Sequence, residues 1–236
     1  TYVEPFVGGG AVLFWILQEY PNITKAVIND INAELICTYR VIKNEVNALI
    51  AELHRLQDEY IPLDSERRKA YFLKSRSLFN AKTTTDVKTA ALFIFLNRTC
   101  FNGLYRVNSK GEFNVPHGKY SNPKICDEVT LLADSKLLQR VEILCGDFAQ
   151  TGRYAGPDVL YYFDPPYRPL TATAAFTSYS ACGFNDDEQI RLRDFCDEIA
   201  HNKSMFVASN SDPKNVDSGD KFFDKLYEMF NIQRVS

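Results

Sequence analysis

The sequence predicts an α/β fold whose sheet comes from two separate stretches of chain, with a mainly helical segment carrying a β-hairpin inserted between them. Three observations carry this. Strand-like runs that stop at an acid occur on both sides of the middle: "KAVIND" at 25–30, then "VEILCGD" and "DVLYYFD" beyond residue 140. From Ile31 to about Arg98 the apolar residues instead recur every three or four positions, which is the helical period. A short β-prone stretch with a polar turn follows at 105–116, before the strand–helix alternation returns near residue 141. The expected organisation is a domain built from 1–42 and 141–236, interrupted by a second domain at 43–140.

Taken in order, "TYVEPFVGGGAVLFWIL" reads as a short strand, a glycine turn and the start of a buried helix. "KAVIND" is the second strand. "AELICTYRVI", "EVNALIAELHRLQDEY", "RRKAYFLKSRSLFN" and "VKTAALFIFLNR" are consecutive helices. In "YRVNSKGEFNVP" the arms are short and the turn Asn-Ser-Lys-Gly ends at Gly111, which can take a positive φ. Then come a strand ending in Asp147, a strand ending in Asp164, the acid-started helix "DDEQIRLRDFCDEIA" and the strand "SMFVASN".

Composition limits the function classes. With 236 residues, 45% hydrophobic and 24% charged, the chain can bury a core of ordinary size. No run approaches the ~20 apolar residues that span a bilayer, and no charged-then-apolar signal pattern opens the chain. A cytoplasmic setting with no membrane partner is expected. The six cysteines (Cys37, Cys100, Cys126, Cys145, Cys182, Cys196) form no C-x-x-C pair, which disfavours zinc and suits reduced, mostly buried thiols. His54, His117 and His201 have no evident triad partner and are expected at a surface or an interface. The net charge of −3 hides an asymmetry: residues 66–124 hold twelve Lys/Arg and three acids, a net of +9. Such a basic segment in an otherwise acidic chain points to a polyanionic partner, although solvated helix faces also produce such runs.

Two stretches carry chemistry. In "EPFVGGG" three glycines stand where a backbone must turn and approach a ligand, and Asp30 ends the next strand about twenty residues later, where an acid can accept from a ribose diol. The phosphate fingerprint G-x-G-x-x-G and a Walker lysine are both absent, so a nucleoside ligand without pyrophosphate fits better. S-adenosylmethionine is the commonest. A plain structural turn gives the same pattern. The second stretch is "DPPY" at 164–167. Proline ends the strand at Asp164 and leaves a stiff loop at its carboxyl end. An aromatic amine is a poor nucleophile because its lone pair is delocalised. The Asp164 carboxylate and the Pro165 carbonyl, accepting its two N–H bonds, would draw the nitrogen toward tetrahedral geometry, while Tyr167 offers a ring for the base to stack on.

With "EPFVGGGAVL", "ND" at 29–30, "GDF" at 146–148, "DPPY" and "NRTCFNGLYRVNSKGEFNVPHG", the chain resembles the Dam family of DNA adenine-N6 methyltransferases over nearly its whole length. The resemblance implies a Rossmann-like methyltransferase sheet with an inserted target-recognition domain, and S-adenosylmethionine as cofactor. It places Glu4, Phe6 and Gly8 at the methionine end of that cofactor, Asp30 at its ribose, and Asp147 and Phe148 at its adenine. Asp164, Pro165, Pro166 and Tyr167 would form the pocket for a flipped-out adenine, with Asp164 shared between base and cofactor. Phe101 resembles the family's intercalating aromatic, Asn102 the residue facing the orphaned base, and Leu104 and Arg106 the sequence readers. Arg98, Lys110 and Lys119 would meet phosphate. The implied target is GATC, with GATATC as a relative, on double-stranded DNA. A monomer or weak dimer is expected, associated with the nucleoid of a prokaryote or a phage-infected cell.

The family also has a segment with a tryptophan and a lysine before the first strand and a hairpin after the last one. Neither is expected between Thr1 and "NIQRVS". Cytosine-C5 transfer is excluded because no cysteine follows a proline. No carboxylate cluster suggests a metal. Methylation of cytosine N4, RNA or a protein glutamine, and a catalytically silent DNA-binding module, stay open on sequence alone.

Overall fold

The computed structural model describes residues 1–168 and 184–235. Its strands are β1 (Tyr2–Glu4), β2 (Ala26–Asp30), β3 (Val141–Cys145), β4 (Leu160–Phe163) and β5 (Met205–Ala208). They form one parallel sheet in the order β3-β2-β1-β4-β5. The chain winds outward from β1 to β3 and then restarts on the other side at β4. That reversal opens a crevice at the carboxyl ends of β1 and β4, where open α/β sheets take ligands. Register is set by pairs such as Val3 with Val27 and Val3 with Tyr161.

Alternation along these strands fills two apolar layers. Tyr2, Ala26 and Ile28 face α1 (Ala11–Glu19) and α2 (Ala33–Asn44), contributing to a core with Leu13, Leu17 and Ile36. Val3, Val27, Tyr161 and Phe163 face the other way, against Leu192, Phe195 and Ile199 of a later helix. Burial on both faces is why the strands read as continuous apolar runs rather than alternating ones.

The inserted helices are α3 (Val46–Tyr60), α4 (Ser65–Asn80) and α5 (Asp86–Thr99). Helix α5, with Ala90, Ala91, Leu92, Phe95 and Leu96 buried, packs against α2, α3 and α4 and joins the insertion to the sheet layer. Next comes α6 (Glu128–Leu138), which the periodicity did not reveal and which packs on α1, α2, α3 and β3. Helix α7 (Asp186–His201) begins at Asn185, whose side chain accepts from the Glu188 amide. A short α8 (Phe222–Leu226) follows β5.

The expected hairpin is an antiparallel reversal held by isolated bridges rather than a continuous ladder. Val107 bridges Phe113 and Cys100 bridges His117. The Asn108 amide donates to Glu112 at 2.9 Å, and Gly111 takes φ 74° as its turn requires. Asn80 anchors the reversal from α4, bonding both backbone groups of Phe113. His201 is exposed and His54 partly so, while His117 is half-buried at an interface, against Phe72 and 2.7 Å from the Tyr60 hydroxyl, and burial pushes its pKa down. Cys37, Cys100, Cys126, Cys145 and Cys196 are free thiols; Cys100, Cys126 and Cys196 are buried, Cys37 is partly so and Cys145 is exposed, while Cys182 lies outside the described residues. Among the described residues no helix is long and apolar enough to cross a membrane.

Candidate active site

Four neighbouring strands each end in a carboxylate. In sheet order they are Asp147 just past β3, Asp30 closing β2, Glu4 closing β1 and Asp164 just past β4. An acidic rim of this kind repels phosphates and suits a cationic ligand. Glu4, Asp30, Asp147 and Asp164 therefore stand along one edge of the sheet.

The glycine turn is lashed to the end of β2. Gly8 donates its amide to Asp30 Oδ2 at 3.1 Å, Val7 donates to the Asn29 carbonyl at 3.0 Å, and the Tyr39 hydroxyl donates to the Gly8 carbonyl at 3.0 Å. Gly8 and Gly10 take φ 48° and 74°, the left-handed region that glycine enters without strain. A Cβ at Gly8 or Gly9 would meet open space, so this backbone is accessible to a ligand. Asp30 is held by its bonds from Gly8 and Asn32, yet burial still raises its pKa. Glu4 is more extreme. It is 2% exposed, accepts from the Tyr2 hydroxyl at 2.8 Å, and burial pushes its carboxyl up to about 7. Tyr2 is its one hydrogen-bond partner among the described residues.

At the far end of the rim Asp147 caps the turn Phe148–Tyr154 through the Ala149 amide. Arg191 grips both its carboxylate oxygens at 2.9 and 2.7 Å and lies 4.1 Å over the Phe148 ring. That hydrogen-bonded guanidinium holds the Asp147 carboxyl below its usual range. Phe6 sits 5.3 Å from Phe148, joining the turn after β1 to the turn after β3.

Beyond β4, Pro165 is buried while Asp164 and Tyr167 are exposed. The Pro166 carbonyl accepts from Gln189, whereas no described residue donates to the Pro165 carbonyl. Arg168, directly after this turn, pairs with Asp186 and with Asp220, both at 2.8 Å, and stacks on Phe222.

The predicted nucleic-acid residues lie at the end of α5 and in the reversal that follows it. Phe101 is 51% exposed and Leu104 is also exposed, so neither is core. Asn102 adopts φ 54° and its amide donates to the Tyr120 hydroxyl at 3.0 Å. Arg106 donates to Asn114 at 2.8 Å, and Arg98, Lys110 and Lys119 are exposed.

Sequence reasoning missed Asn29, Tyr39, Gln150, Gln189, Arg191 and Ser209. The buried Asn29 side chain donates to the Pro5 and Gly146 carbonyls at 3.0 Å each, while its Oδ1 accepts from Gln150 at 2.8 Å. Its place beside Asp30 was a usable signal, since a buried amide at a strand end must have partners.

This parallel sheet, with a glycine turn after β1 and an acid–proline turn after β4, is a Rossmann-like methyltransferase fold. Residues 1–236 match the D12 class of N6 adenine-specific DNA methyltransferases, and the chain belongs to that family. It is 53% identical to the type II methyltransferase M.MjaIII of Methanocaldococcus jannaschii over 236 residues, covering 99% of this chain and 79% of that protein. It is 37% identical over 212 residues to the DNA adenine methylase of Vibrio cholerae, covering 89% and 72% of the two chains. The DNA N-6-adenine-methyltransferase of Escherichia phage P1 is 37% identical over 215 residues, 91% of this chain and 27% of that protein. The protein is thus an adenine-specific DNA methyltransferase.

Proposed function

We propose that the enzyme takes S-adenosylmethionine as its methyl donor and acts on an adenine flipped out of duplex DNA, within GATC. The observation that carries this reading is Asp164, exposed at the crevice between β4 and β1 and next in the rim to the buried Glu4. The acidic rim, with glycine backbone open beside it, fits a nucleoside that bears a sulfonium and an ammonium group and no phosphate. When bound, that cofactor supplies an electrophilic methyl group on sulfur. Glu4 would hold the cationic end, Asp30 the ribose hydroxyls, and Asp147 with Phe148 the adenine, with Phe6 and Gly8 lining the path between them.

Asp164 and the Pro165 carbonyl then accept the two N–H bonds of the N6 amine, so that its lone pair points toward the methyl carbon. The proton lost after transfer passes by way of Asp164 to solvent. Tyr167 stacks on the extruded base, and Pro166 keeps the loop stiff. Extrusion costs a few kcal/mol, which contacts in the insertion offset. Residues 43–140 serve as the target-recognition domain, with 1–42 and 141–236 forming the catalytic one. Phe101 enters the stack, Asn102 faces the orphaned base, Leu104 and Arg106 read base edges, and Arg98, Lys110 and Lys119 meet phosphate. The GATC assignment rests on the resemblance of 97–118 to readers of that site. The enzyme works as a monomer or weak dimer in the cytoplasm, on nucleoid or phage DNA.

The test uses radiolabelled S-adenosylmethionine and three duplexes: GATC, the same site already N6-methylated, and a scrambled site. Label on the first alone is expected, and Asp164→Ala should abolish it while leaving duplex binding intact. Label on the methylated duplex would move the target elsewhere.

A further inference from the structure

The acid–proline loop leaves the sheet at Asp164 with no strand ladder to hold it, yet its reacting groups must be placed to a fraction of an ångström. The segment just past β5, Ser209-Asn210-Ser211, supplies the missing ladder. Ser209 donates its amide to the Phe163 carbonyl at 2.9 Å, and its hydroxyl lies 2.7 Å from Asp164 Oδ1. That hydroxyl is also 3.3 Å from the Phe163 carbonyl, but it has one proton, and the shorter, charge-assisted bond to the carboxylate wins. Asn210 Oδ1 accepts from the Arg168 amide at 3.2 Å, and its Nδ2 donates to Gln189 Oε1 at 3.0 Å. Gln189, fully buried on α7, returns a bond to the Pro166 carbonyl at 3.1 Å. The Ser211 hydroxyl closes the run on the Arg168 carbonyl at 2.8 Å.

We propose that Ser209 is a positioning residue for methyl transfer: by holding Oδ1 of Asp164 it fixes the carboxylate's rotation and leaves Oδ2 for the adenine amine. The proposal rests on the reading that Asp164 accepts from that amine. Two prolines stiffen the backbone after Asp164, but nothing in the backbone fixes the torsions of an exposed aspartate side chain. The Ser209 hydroxyl does so, and the Gln189–Asn210 amide pair keeps the neighbouring backbone still, so the carboxylate and the Pro165 carbonyl reach the amine together.

Single-turnover methylation at saturating duplex and cofactor, alongside separate affinities for each and thermal melts, tests this on Ser209→Ala, Ser209→Thr, Ser209→Cys and Asp164→Ala. Loss of alignment of this kind lowers the chemical rate by about 10- to 100-fold. Ser209→Ala should show that loss with both affinities within about twofold of wild type, as expected when the group acts in the chemical step. The hydroxyl of Ser209→Thr should restore most of the rate, and the weaker donor of Ser209→Cys should fall between. Adding Ser209→Ala to Asp164→Ala should change nothing further. Equal rates for the three serine variants, with Asp164→Ala inactive, would overturn the positioning role alone. An active Asp164→Ala would instead remove the reading of the site on which it rests.

Discussion

At the scale of single residues, Glu4 gives a pH dependence whose sign can be worked out. Burial raises its carboxyl from 4.5 to about 7, so the fold favours the protonated form. Its contribution to stability is therefore complete below pH 4.5 and is lost as pH rises through 7. Cofactor binding runs the other way. To hold an ammonium group Glu4 must release its proton, so affinity for S-adenosylmethionine should rise between about pH 6 and pH 8. Calorimetry in buffers of different ionisation heat should find close to one proton released near pH 6 and none near pH 8, and Glu4→Gln should abolish both the release and the trend. Asp147 has the opposite sign. The guanidinium of Arg191 keeps its carboxyl low, so its contribution is present above its ordinary value of 3.8 and disappears as pH falls below it. Arg191→Ala should weaken cofactor binding, because it frees the carboxylate to rotate and uncovers Phe148. Unchanged affinity in a direct titration would show that the ion pair serves only to cap the turn Phe148–Tyr154.

At the scale of elements, the turn from β1 into α1 depends on Gly10. A Cβ there would stand 2.4 Å from the Tyr39 hydroxyl oxygen, and φ is already 74°. Gly10→Ala should therefore cost on the order of 1–3 kcal/mol in urea unfolding, while Gly9→Ala, whose Cβ meets open space, should fall near wild type. Equal losses would mean that the turn yields. This turn was legible in the sequence because three glycines between apolar runs admit few alternatives, and four of the five strands were legible because their apolar runs stop at an acid. Helix α6 was not. Its buried stripe is Leu131, Ser135 and Leu138, with a serine in the middle, while Val129 is 80% exposed, so its apolar spacing does not mark the buried side. The acid–proline turn showed which groups sit at the rim but not what holds them. Gln189 reaches it from α7 and Ser209 from beyond β5, while Arg191 of α7 reaches Asp147 at the far end of the rim, across 20 to 45 positions of chain, and no local pattern encodes such meetings.

Over the whole molecule, charge separates into a basic insertion and an acidic remainder, but formal charge overstates what DNA can reach. Of the twelve cations in 66–124, Arg67, Lys82 and Lys124 pair with Asp64, Glu34 and Asp127. Arg68 spends its guanidinium on the carbonyls of Ile61, Tyr120 and Ser121, and Arg76 reaches that of Val115. These bonds brace α4 against the loop before α6, so Arg68→Ala should lower stability more than DNA affinity. Lys110 and Lys119 differ, being exposed and in no ion pair among the described residues. Each phosphate neutralised by a lysine contributes about 0.9 to the slope of log affinity against log salt. The double variant Lys110→Ala, Lys119→Ala should therefore flatten that slope by about 2, and by the same amount on GATC and scrambled duplexes, because phosphate contacts carry no sequence information. Arg106→Ala should instead reduce the preference for GATC over the scrambled site by about 1–3 kcal/mol, with a smaller change in slope. If the lysine pair lowers affinity for GATC alone, those side chains read bases and the assignment of roles within 97–119 must be exchanged. An unchanged slope would move the phosphate track away from the reversal and onto the exposed lysines of α4, Lys69 and Lys74.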